Sequence, residues 1–304
     1  MAKVLGIVAS DRKLGNSEVL VKEALFGARE AGAKVELMRL SDYRLENCNG
    51  CMSCAFKKSP GVHCPIDDDG LAIFNQILAA SGIIIGAPTY FLGPIARIKT
   101  LLDRAMMVAW DEAQQAQRTA AVIAVAGLRG WDGLAVPILS ELALALGARI
   151  VGTMNAYAPG PGQTLLDPDN VSRAHELGTR VVSGEALPVP AGRCPICRST
   201  IFTPVGFSAG GHTIVQCPLC GVRGEITCPA AEAQGHSPEG RDASRETGFA
   251  EVDILFDPET VASHRWTPEN LRRHLAEWVV PTREMFLRDL RAVKEARKRY
   301  QDPI

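Results

Sequence analysis

Residues 3–17, KVLGIVASDRKLGNS, decide the fold of the N-terminal half of this 304-residue chain. Residues 3–10 form an apolar run with the length and character of a strand that is buried on both faces. Apolar residues then recur at helical spacing over 16–31, and Gly32 provides a stop signal. A buried strand that passes through a short polar turn into a helix predicts the opening unit of a parallel α/β sheet.

The same alternation of strand and helix continues to about residue 183. Further strands are predicted at about 34–40, 82–87, 120–126 and 149–157, with helices at about 69–80, 94–109, 133–146 and 170–183. Five strands predict an α/β fold with a flavodoxin-like, doubly wound, five-stranded parallel sheet, in preference to the six-stranded dinucleotide-binding fold. Ligands of such sheets bind at the carboxyl ends of the strands, so the loops at that edge are the candidate site.

Proline and glycine divide the chain after the last of these helices. We expect a flavodoxin-like domain at 1–186, with a cysteine-bearing loop at 48–64, followed by a linker at 187–193. A zinc-ribbon-like β segment at 194–257 and C-terminal helices at 258–304 should complete the chain. The last segment should hold two helices, because Pro281 is expected to interrupt the first of them.

Composition limits the classes of function. Lys and Arg total 33 against 34 Asp and Glu. The chain therefore has no excess of positive charge that would attract nucleic acid or an anionic membrane. We recognise neither a signal sequence nor an apolar run long enough to span a bilayer, which predicts a cytoplasmic protein.

The turn after the first strand is a candidate phosphate site. A strand–loop–helix junction presents unpaired backbone N–H groups and the positive end of the helix dipole. Candidate contacts are Ser10, Arg12, Gly15, Asn16 and Ser17. The pattern differs from both the dinucleotide and the Walker glycine motifs, and an ordinary turn with a polar helix cap is the alternative.

The loop after the third strand is a candidate ring-binding site. It reads Pro88-Thr89-Tyr90-Phe91-Leu92-Gly93-Pro94. An aromatic pair flanked by proline and glycine can hold backbone amides against a flat ring system. The alternative is a hydrophobic loop that only caps the sheet.

Taken together, these two loops resemble those of a known superfamily. The S-x-R-x-x-G-N-S turn at 10–17 and the P-T-Y…K…L-D-R segment at 88–104 resemble the NADPH-dependent FMN reductases and iron–sulfur flavoproteins over about residues 1–185. The resemblance implies that FMN places its phosphate on the first segment and its ring on the second. It also implies ferredoxin or NAD(P)H as electron donor and a homodimer or homotetramer as the assembly.

The resemblance further implies that the loop after the fourth strand lies on the other side of the flavin ring. Its candidate contacts are Gly127 and Arg129. The stretch departs from the glycine-rich form usual in the family.

A first set of cysteines follows the second strand. Cys48, Cys51 and Cys54 form a C-x2-C-x2-C run, and Cys64 follows after nine residues. Three thiolates at these intervals can surround one 4Fe–4S cluster, as in ferredoxins. The iron–sulfur flavoproteins carry their motif at this position, although the last gap is longer here. A zinc site and a loop without a cluster are the alternatives.

A second set of cysteines lies in the ribbon-like segment. Cys194 and Cys197 form one C-P-x-C knuckle, and Cys217 and Cys220 form another, with a predicted two-stranded hairpin between them. Two facing knuckles supply a tetrahedral sulfur cage that suits Zn²⁺. A rubredoxin-like iron would use a similar cage. The segment has few basic residues and no aromatic ladder, so nucleic acid is not an expected partner.

These features predict an FMN-dependent oxidoreductase that passes electrons between a reduced donor, FMN and a 4Fe–4S cluster. One alternative is an NAD(P)H-dependent FMN or quinone reductase without a cluster. Another is a flavin-binding scaffold whose ribbon recruits a partner.

Overall fold

The computed structural model describes residues 1–56, 61–109, 118–227 and 253–298. Its N-terminal part alternates strands and helices as the sequence predicts. The elements are β1 Lys3–Val8, α1 Asn16–Glu30, β2 Lys34–Arg39, α2 Gly70–Leu78, β3 Gly82–Tyr90, β4 Gly93–Pro94, α3 Ala96–Arg104, α4 Met106–Ala109, β5 Arg118–Ala126, α5 Ala135–Ala145, β6 Ala148–Tyr157 and α6 Pro168–Ser183.

The strand order confirms the flavodoxin-like prediction. Five parallel strands lie in the order β2-β1-β3-β5-β6, and the short β4 pairs antiparallel with β3. The direction of winding reverses between β1 and β3, and ligands bind at such switch points in open α/β sheets. The turn at 10–17 leaves β1 and the loop at 88–94 leaves β3 at this point.

Each face of the sheet carries its own hydrophobic core. One core contains buried residues of α1 and α6, and the other contains those of α2, α3 and α5. The two helices of the first layer approach closely at two glycines. A Cβ atom at Gly178 would lie 1.7 Å from the Ala24 carbonyl oxygen, and one at Gly27 would lie 2.1 Å from that of His175.

The ribbon-like segment forms a larger sheet than predicted. Its strands are β7 Thr203–Phe207, β8 Thr213–Gln216, β9 Arg223–Thr227 and β10 Asp253–Phe256, joined antiparallel in the order β10-β9-β8-β7. The predicted two-stranded hairpin is therefore incomplete. β9 was missed because its sequence, RGEIT, combines charge and glycine in a short run, and Gly224 is there to admit the close approach of β10.

The C-terminal helices differ from the prediction at Pro281. The elements are α7 Pro258–Ala262, α8 Pro268–His274, a π-helical turn Leu275–Val279 and α9 Val280–Lys298. Pro281 is the second residue of α9, and the helical chain continues through the π turn into α9, so the expected break at Pro281 is replaced by a change of helix type just before it. A proline has no N–H to donate and crowds the preceding turn, and the wider π turn just before α9 accommodates both effects.

Some expectations concern residues outside these ranges. The polar stretch at 229–249, the ninth cysteine, Cys228, and the predicted helix end near Tyr300 lie outside the described residues. In the part of the chain that is described, no helix has both the length and the apolar character needed to cross a membrane.

Candidate functional site

The turn between β1 and α1 is held in a strained, compact form. Leu14 has a positive φ of 54°, which is uncommon for a branched residue, and Gly15 forms the N-cap of α1. The Ser10 hydroxyl accepts the Arg12 backbone N–H at 3.2 Å. A Cβ atom on Gly15 would lie 3.2 Å from Arg12 Cβ. The turn therefore brings its backbone close to the first amides of α1, which have no acceptor within the helix.

Asn16 does not play the part that was expected of its side chain. Its Nδ2 donates to the carbonyl oxygens of Ala158 and Gly160 at 3.1 and 2.9 Å, and its Oδ1 accepts the Thr164 N–H at 3.3 Å. The expectation that this amide hydrogen-bonds a phosphate is therefore corrected. The side chain joins the turn to the loop between β6 and α6, and only the backbone N–H of Asn16 is left to face an anion.

Glu18 is a buried carboxylate beneath the turn that the sequence did not mark. It is 2% exposed and pairs with Lys22 at 2.7 Å and Arg39 at 3.0 Å, and it accepts the Leu14 N–H at 3.0 Å. Burial raises the pKa of Glu18, but the hydrogen bonds from Lys22 and Leu14 outweigh burial and hold the pKa below its usual value. The contact is similar to a capping box displaced by one residue, and it fixes the turn.

The loop after β3 is a two-residue hairpin with an unusual sequence. Thr89 pairs with Pro94, and Tyr90 with Gly93, so Phe91 and Leu92 form the turn. Both turn residues have positive φ, 47° and 66°. Hairpin turns of this kind favour Asn-Gly, and each non-glycine residue in this region costs on the order of 1–2 kcal/mol. Backbone strain of this kind is concentrated at functional sites.

A third loop packs against this hairpin. The Leu134 N–H donates to the Leu92 carbonyl oxygen at 2.5 Å, and a Cβ atom on Gly133 would lie 2.7 Å from that oxygen. Within this loop, Gly127 and Arg129 are exposed, and the Arg129 guanidinium lies 4.7 Å above the Tyr157 ring. The loops that follow β3 and β5 are thus fastened to each other.

The carboxyl edge of the sheet is rimmed by apolar side chains. Phe91 is fully exposed and the Thr89 hydroxyl is buried without a hydrogen-bond partner among the described residues. Exposed apolar residues follow four different strands at this edge: Leu14, Tyr90, Phe91, Leu92, Leu128, Trp131, Leu134, Leu165 and Leu166. A patch of this kind marks a place where a ligand or another surface binds.

The four cysteines of the first set line one small pocket. Cys48, Cys51, Cys54 and Cys64 surround a cavity of about 30 Å³, with Arg104 among the other lining residues. Cys48 and Cys51 are exposed. Burial, and then the neighbouring thiols, raise the pKa of Cys54.

A buried ion pair closes the base of this loop. Arg104 donates to both carboxylate oxygens of Asp68 at 2.7 and 3.1 Å, and the two side chains are 1% and 0% exposed. Arg104 also donates to the Glu46 carbonyl oxygen at 2.9 Å, and Asp68 accepts the backbone N–H groups of Glu46 and Gly70. One pair therefore holds the chain just before Cys48 and just after Cys64.

The second set of cysteines is fully gathered. Cys194, Cys197, Cys217 and Cys220 are each 0% exposed, and their sulfur atoms lie within 4.8 Å of one another. A Zn–S distance of about 2.3 Å in a tetrahedron implies sulfur atoms about 3.8 Å apart, so the donor set fits zinc. Hydrogen bonds from the other three thiols lower the pKa of Cys217. Among the described residues, only this set has its ligand atoms so close together.

The C-terminal segment supports the second knuckle of this cage. The Trp266 indole N–H donates to the Leu219 carbonyl oxygen at 2.9 Å, and the Arg265 N–H donates to that of Cys220 at 2.8 Å. The four cysteines also belong to the hydrophobic core that contains α2, α3 and α5. The cage is therefore part of the packing between the ribbon and the N-terminal sheet.

A family model that describes NADPH-dependent FMN reductases matches residues 2–160. The chain belongs to this family. The match covers β1 to β6, and therefore includes the strained turns after β1 and β3 and the first cysteine set.

Curated relatives of this FMN reductase family member include iron–sulfur flavoproteins. One, from Methanocaldococcus jannaschii, is 44% identical over 102 residues, which is 34% of this chain and 51% of that protein. The chain thus spans about half the length of this relative. A flavone synthase from Aspergillus candidus is 28% identical over 245 residues, 70% of this chain and 74% of its own.

A solved structure extends the likeness over the whole chain. A flavone reductase matches 99% of this chain and 98% of its own with a TM-score of 0.71 and 19% identity. Identity this low shows the fold alone. The arrangement of the sheet, the ribbon and the C-terminal helices therefore occurs in another protein as one architecture.

Three structural features of this family member were missed in the sequence: the buried Glu18, the Arg104–Asp68 pair and Arg198, which follows Cys197 and is only 6% exposed. The L-D-R motif included Arg104, but its partner lies 36 residues away. Asp68 is the middle one of three consecutive aspartates after Cys64, so no local signal distinguishes it as the partner of Arg104.

Proposed function

We propose that the chain is an FMN-dependent oxidoreductase that exchanges electrons between a reduced donor, FMN and a 4Fe–4S cluster held by Cys48, Cys51, Cys54 and Cys64. Family membership supports the flavin, and the names of the iron–sulfur flavoprotein relatives support the cluster. Ferredoxin or NAD(P)H would be the donor, and a homodimer or homotetramer the assembly.

The residues at the carboxyl edge fit FMN. The turn after β1 would hold the phosphate through Ser10, Arg12, Gly15, Ser17 and the Asn16 backbone N–H, at the positive end of α1. Arg12 is exposed and so is accessible to an anion.

The hairpin after β3 would hold the ring. Its residues 88–93 include the Thr89 hydroxyl, which has no hydrogen-bond partner within the described ranges. They also include the two strained turn residues, whose backbone orientation is fixed by the ladder between β3 and β4. Gly127 and Arg129 would approach the ring from the next loop. Flavin supplies one- and two-electron chemistry, and the protein positions it and excludes competing reactions.

The observation that carries the cluster is the shared pocket of the first cysteine set. Four thiols around one cavity are the ligand set of a 4Fe–4S cluster. Arg97 links the segment that leads from β2 to this loop with the phosphate turn, since it donates to the Leu40 carbonyl oxygen at 3.2 Å and pairs with Asp11 at 3.1 Å. Both loops therefore meet at the first turn of α3, which follows the hairpin.

Anaerobic purification tests the proposal. The protein should carry FMN and about four iron atoms per chain, in addition to the metal of the second cage. Cys51→Ser should give protein that binds FMN but lacks the iron. Cys217→Ser, in the second set, should not give this combination of lost iron and retained flavin. Anaerobically isolated protein with flavin but without iron would contradict the cluster, and protein that binds no FMN would contradict the whole proposal.

A second candidate is a cluster-free reductase of planar aromatic compounds. Two observations favour it: the sulfur atoms of the first set are less closely gathered than those of the second, and the candidate flavin edge is rimmed by exposed apolar side chains. The relative named a flavone synthase supports an acceptor of this class. Iron-free protein that oxidises NAD(P)H and reduces a flavone or quinone would support this second candidate.

A further inference from the structure

A large cleft lies between the N-terminal domain and the C-terminal helices. It has a volume of about 1070 Å³. One wall comes from α3, α4 and α5, and the other comes from the stretches 220–221 and 260–278. None of its lining residues belongs to the turn after β1, the hairpin after β3 or the loop after β5. The cleft is therefore distinct from the candidate flavin site.

Aromatic side chains line the C-terminal wall of this cleft. Trp278 is 60% exposed, and its ring stacks on that of His274 with the ring centroids 5.4 Å apart and 16° between the planes. Trp266 lines the same wall, and its indole N–H donates to the Leu219 carbonyl oxygen, which holds the ring in place. The cleft is also lined by aliphatic side chains: Leu102, Met106 and Leu271. A surface of this composition suits a flat aromatic ligand, because stacked rings gain more than the burial of their area alone.

The ionic side chains of the cleft balance one another. Among its Lys, Arg, Asp and Glu residues, three are basic and three are acidic: Lys99, Arg265, Arg273, Asp103, Glu141 and Glu277. Lys99 pairs with Asp103, and Arg265 donates to the Pro218 carbonyl oxygen at 2.8 Å. A balanced lining offers no excess of either charge to an ionic ligand, so it favours an uncharged one.

Glu141 of α5 offers a polar contact within this mainly apolar cleft. Its side chain is half-buried at the wall and has no hydrogen-bond partner in the ranges that the structure describes. Burial raises the pKa of Glu141, and the charges of Lys99 and Arg265 only partly oppose this effect. A protonated carboxyl group can donate a hydrogen bond to a carbonyl oxygen. The ligand should therefore carry such an oxygen.

We propose that this cleft binds an uncharged, planar aromatic carbonyl compound of the flavone or quinone class. Its rings would lie against Trp278 and Trp266, and its carbonyl oxygen would accept a hydrogen bond from Glu141. The cleft shares Asp103 and Met106 with the pocket of the first cysteine set. A compound bound here would thus lie beside that set. Its placement next to a cluster rests on the proposed function, but binding in the cleft does not.

The apolar edge of the sheet is the competing site for a compound of this class. Trp131 is exposed at that edge, as Trp278 is exposed in the cleft. The two tryptophans therefore provide a matched pair of substitutions. Because both rings are mostly exposed, neither substitution should unfold the protein, and thermal unfolding of each variant checks this.

Equilibrium dialysis of the full-length protein against flavone tests the site. Trp278→Ala should weaken one flavone site roughly tenfold, because the ring supplies stacking and buried area. Trp131→Ala should keep that site, whether or not a second flavone binds at the sheet edge. If only Trp131→Ala weakens binding, the compound binds at the sheet edge alone and the proposal fails. Absence of binding up to about 50 μM flavone also overturns it.

Two substitutions at Glu141 test the polar contact. Glu141→Gln keeps a hydrogen-bond donor and should bind flavone as the unaltered protein does. Glu141→Leu removes the donor and should weaken binding about fivefold. Equal binding by the two variants would refute the contact between Glu141 and the carbonyl oxygen.

A protein surface is the other possible occupant of the cleft. If flavone does not bind and Trp278→Ala changes the oligomeric state in light scattering, the cleft is a contact between subunits and the proposal fails. All of these measurements can be read without iron and without turnover. A failure of the proposed function would therefore be distinguished from a failure of this site.

Discussion

The two cysteine sets in this chain are held by the fold in opposite ways. The second set is fully buried, its sulfur atoms are gathered, and its knuckles belong to a hydrophobic core. The first set lies on a loop with two exposed members and relies on one buried ion pair at its base. The comparison teaches that four thiols can be built into the packing of a protein or carried on its surface, and the cost of losing one of them should differ accordingly.

Replacing one ligand in each set gives the largest expected difference. Cys217→Ser should lower the free energy of unfolding by more than about 5 kcal/mol, because metal binding at a structural site is folding free energy. Cys51→Ser should lower it by less than about 1 kcal/mol, since its side chain contributes little to the core. Urea unfolding with zinc and iron analysis measures both. Equal destabilisation would remove the distinction between the two sets.

Breaking the ion pair under the first set should come next in size. Arg104→Met leaves the Asp68 carboxylate buried without its cation and should cost about 3–5 kcal/mol. Arg104→Met with Asp68→Asn should cost less than the sum of the single changes, because no charge is then left unpaired. A double-mutant cycle in urea tests this coupling, and simple additivity would show that the pair does not hold the loop.

Two glycines offer a matched probe of how rigid each loop is. Gly221 follows the second knuckle with φ of 80°, Gly50 lies between the first two cysteines with φ of 69°, and neither would crowd a Cβ atom. Gly221→Ala should cost about 1–2 kcal/mol, the price of a left-handed backbone. Gly50→Ala should cost less, because an exposed loop can relax. A larger loss at Gly50 in thermal unfolding would mean that the first loop is the more rigid one.

A titrating contact remote from both sets supplies the smallest effect and a baseline. His175 of α6 bonds Glu23 and Glu30 of α1 at 2.9 and 3.1 Å, and the hydrogen bond to Glu23 is the main reason that its pKa is raised. The protonated His175 stabilises the fold fully below its unfolded pKa of about 6.5. This stabilisation is lost as the pH rises through the higher pKa of the folded state.

His175→Gln should therefore flatten the fall in unfolding free energy between pH 6 and pH 9 by less than about 1 kcal/mol. The pH dependence of the unfolding free energy that His175 contributes should be the same in the cysteine variants of either set. If His175→Gln changes this pH dependence differently in the variants of one set, the pH series cannot serve as a common baseline for the two sets.

The predictable part of this molecule is the part encoded by local pattern. The apolar run at 3–10 and the helical spacing that follows it predict the parallel sheet, and cysteine spacing identifies the second cage. Arg104 and Asp68 escape such reasoning because each looks like an ordinary surface charge until the fold brings them together. Asn16 shows the converse: its position suggested a phosphate ligand, whereas carbonyl groups more than 140 residues away occupy its amide.

β9 and Pro281 mark two further limits. The strand RGEIT has no clear alternation of polar and apolar residues, so its place in the sheet is set by its partners β8 and β10. Pro281 has a strong local meaning, but a change in helix type just before it removes the conflict. In both places tertiary context overrides what neighbouring residues indicate.

Because Gly27 and Gly178 have no side chains, α1 and α6 pack in direct backbone contact and form one layer on the sheet. The N-terminus of α1 joins the turn around Leu14, so the distance between this helical layer and the sheet determines the position of that turn. A methyl group added at either glycine would push the two helices apart and shift the turn, so we expect it to weaken binding at the turn although neither glycine belongs to it.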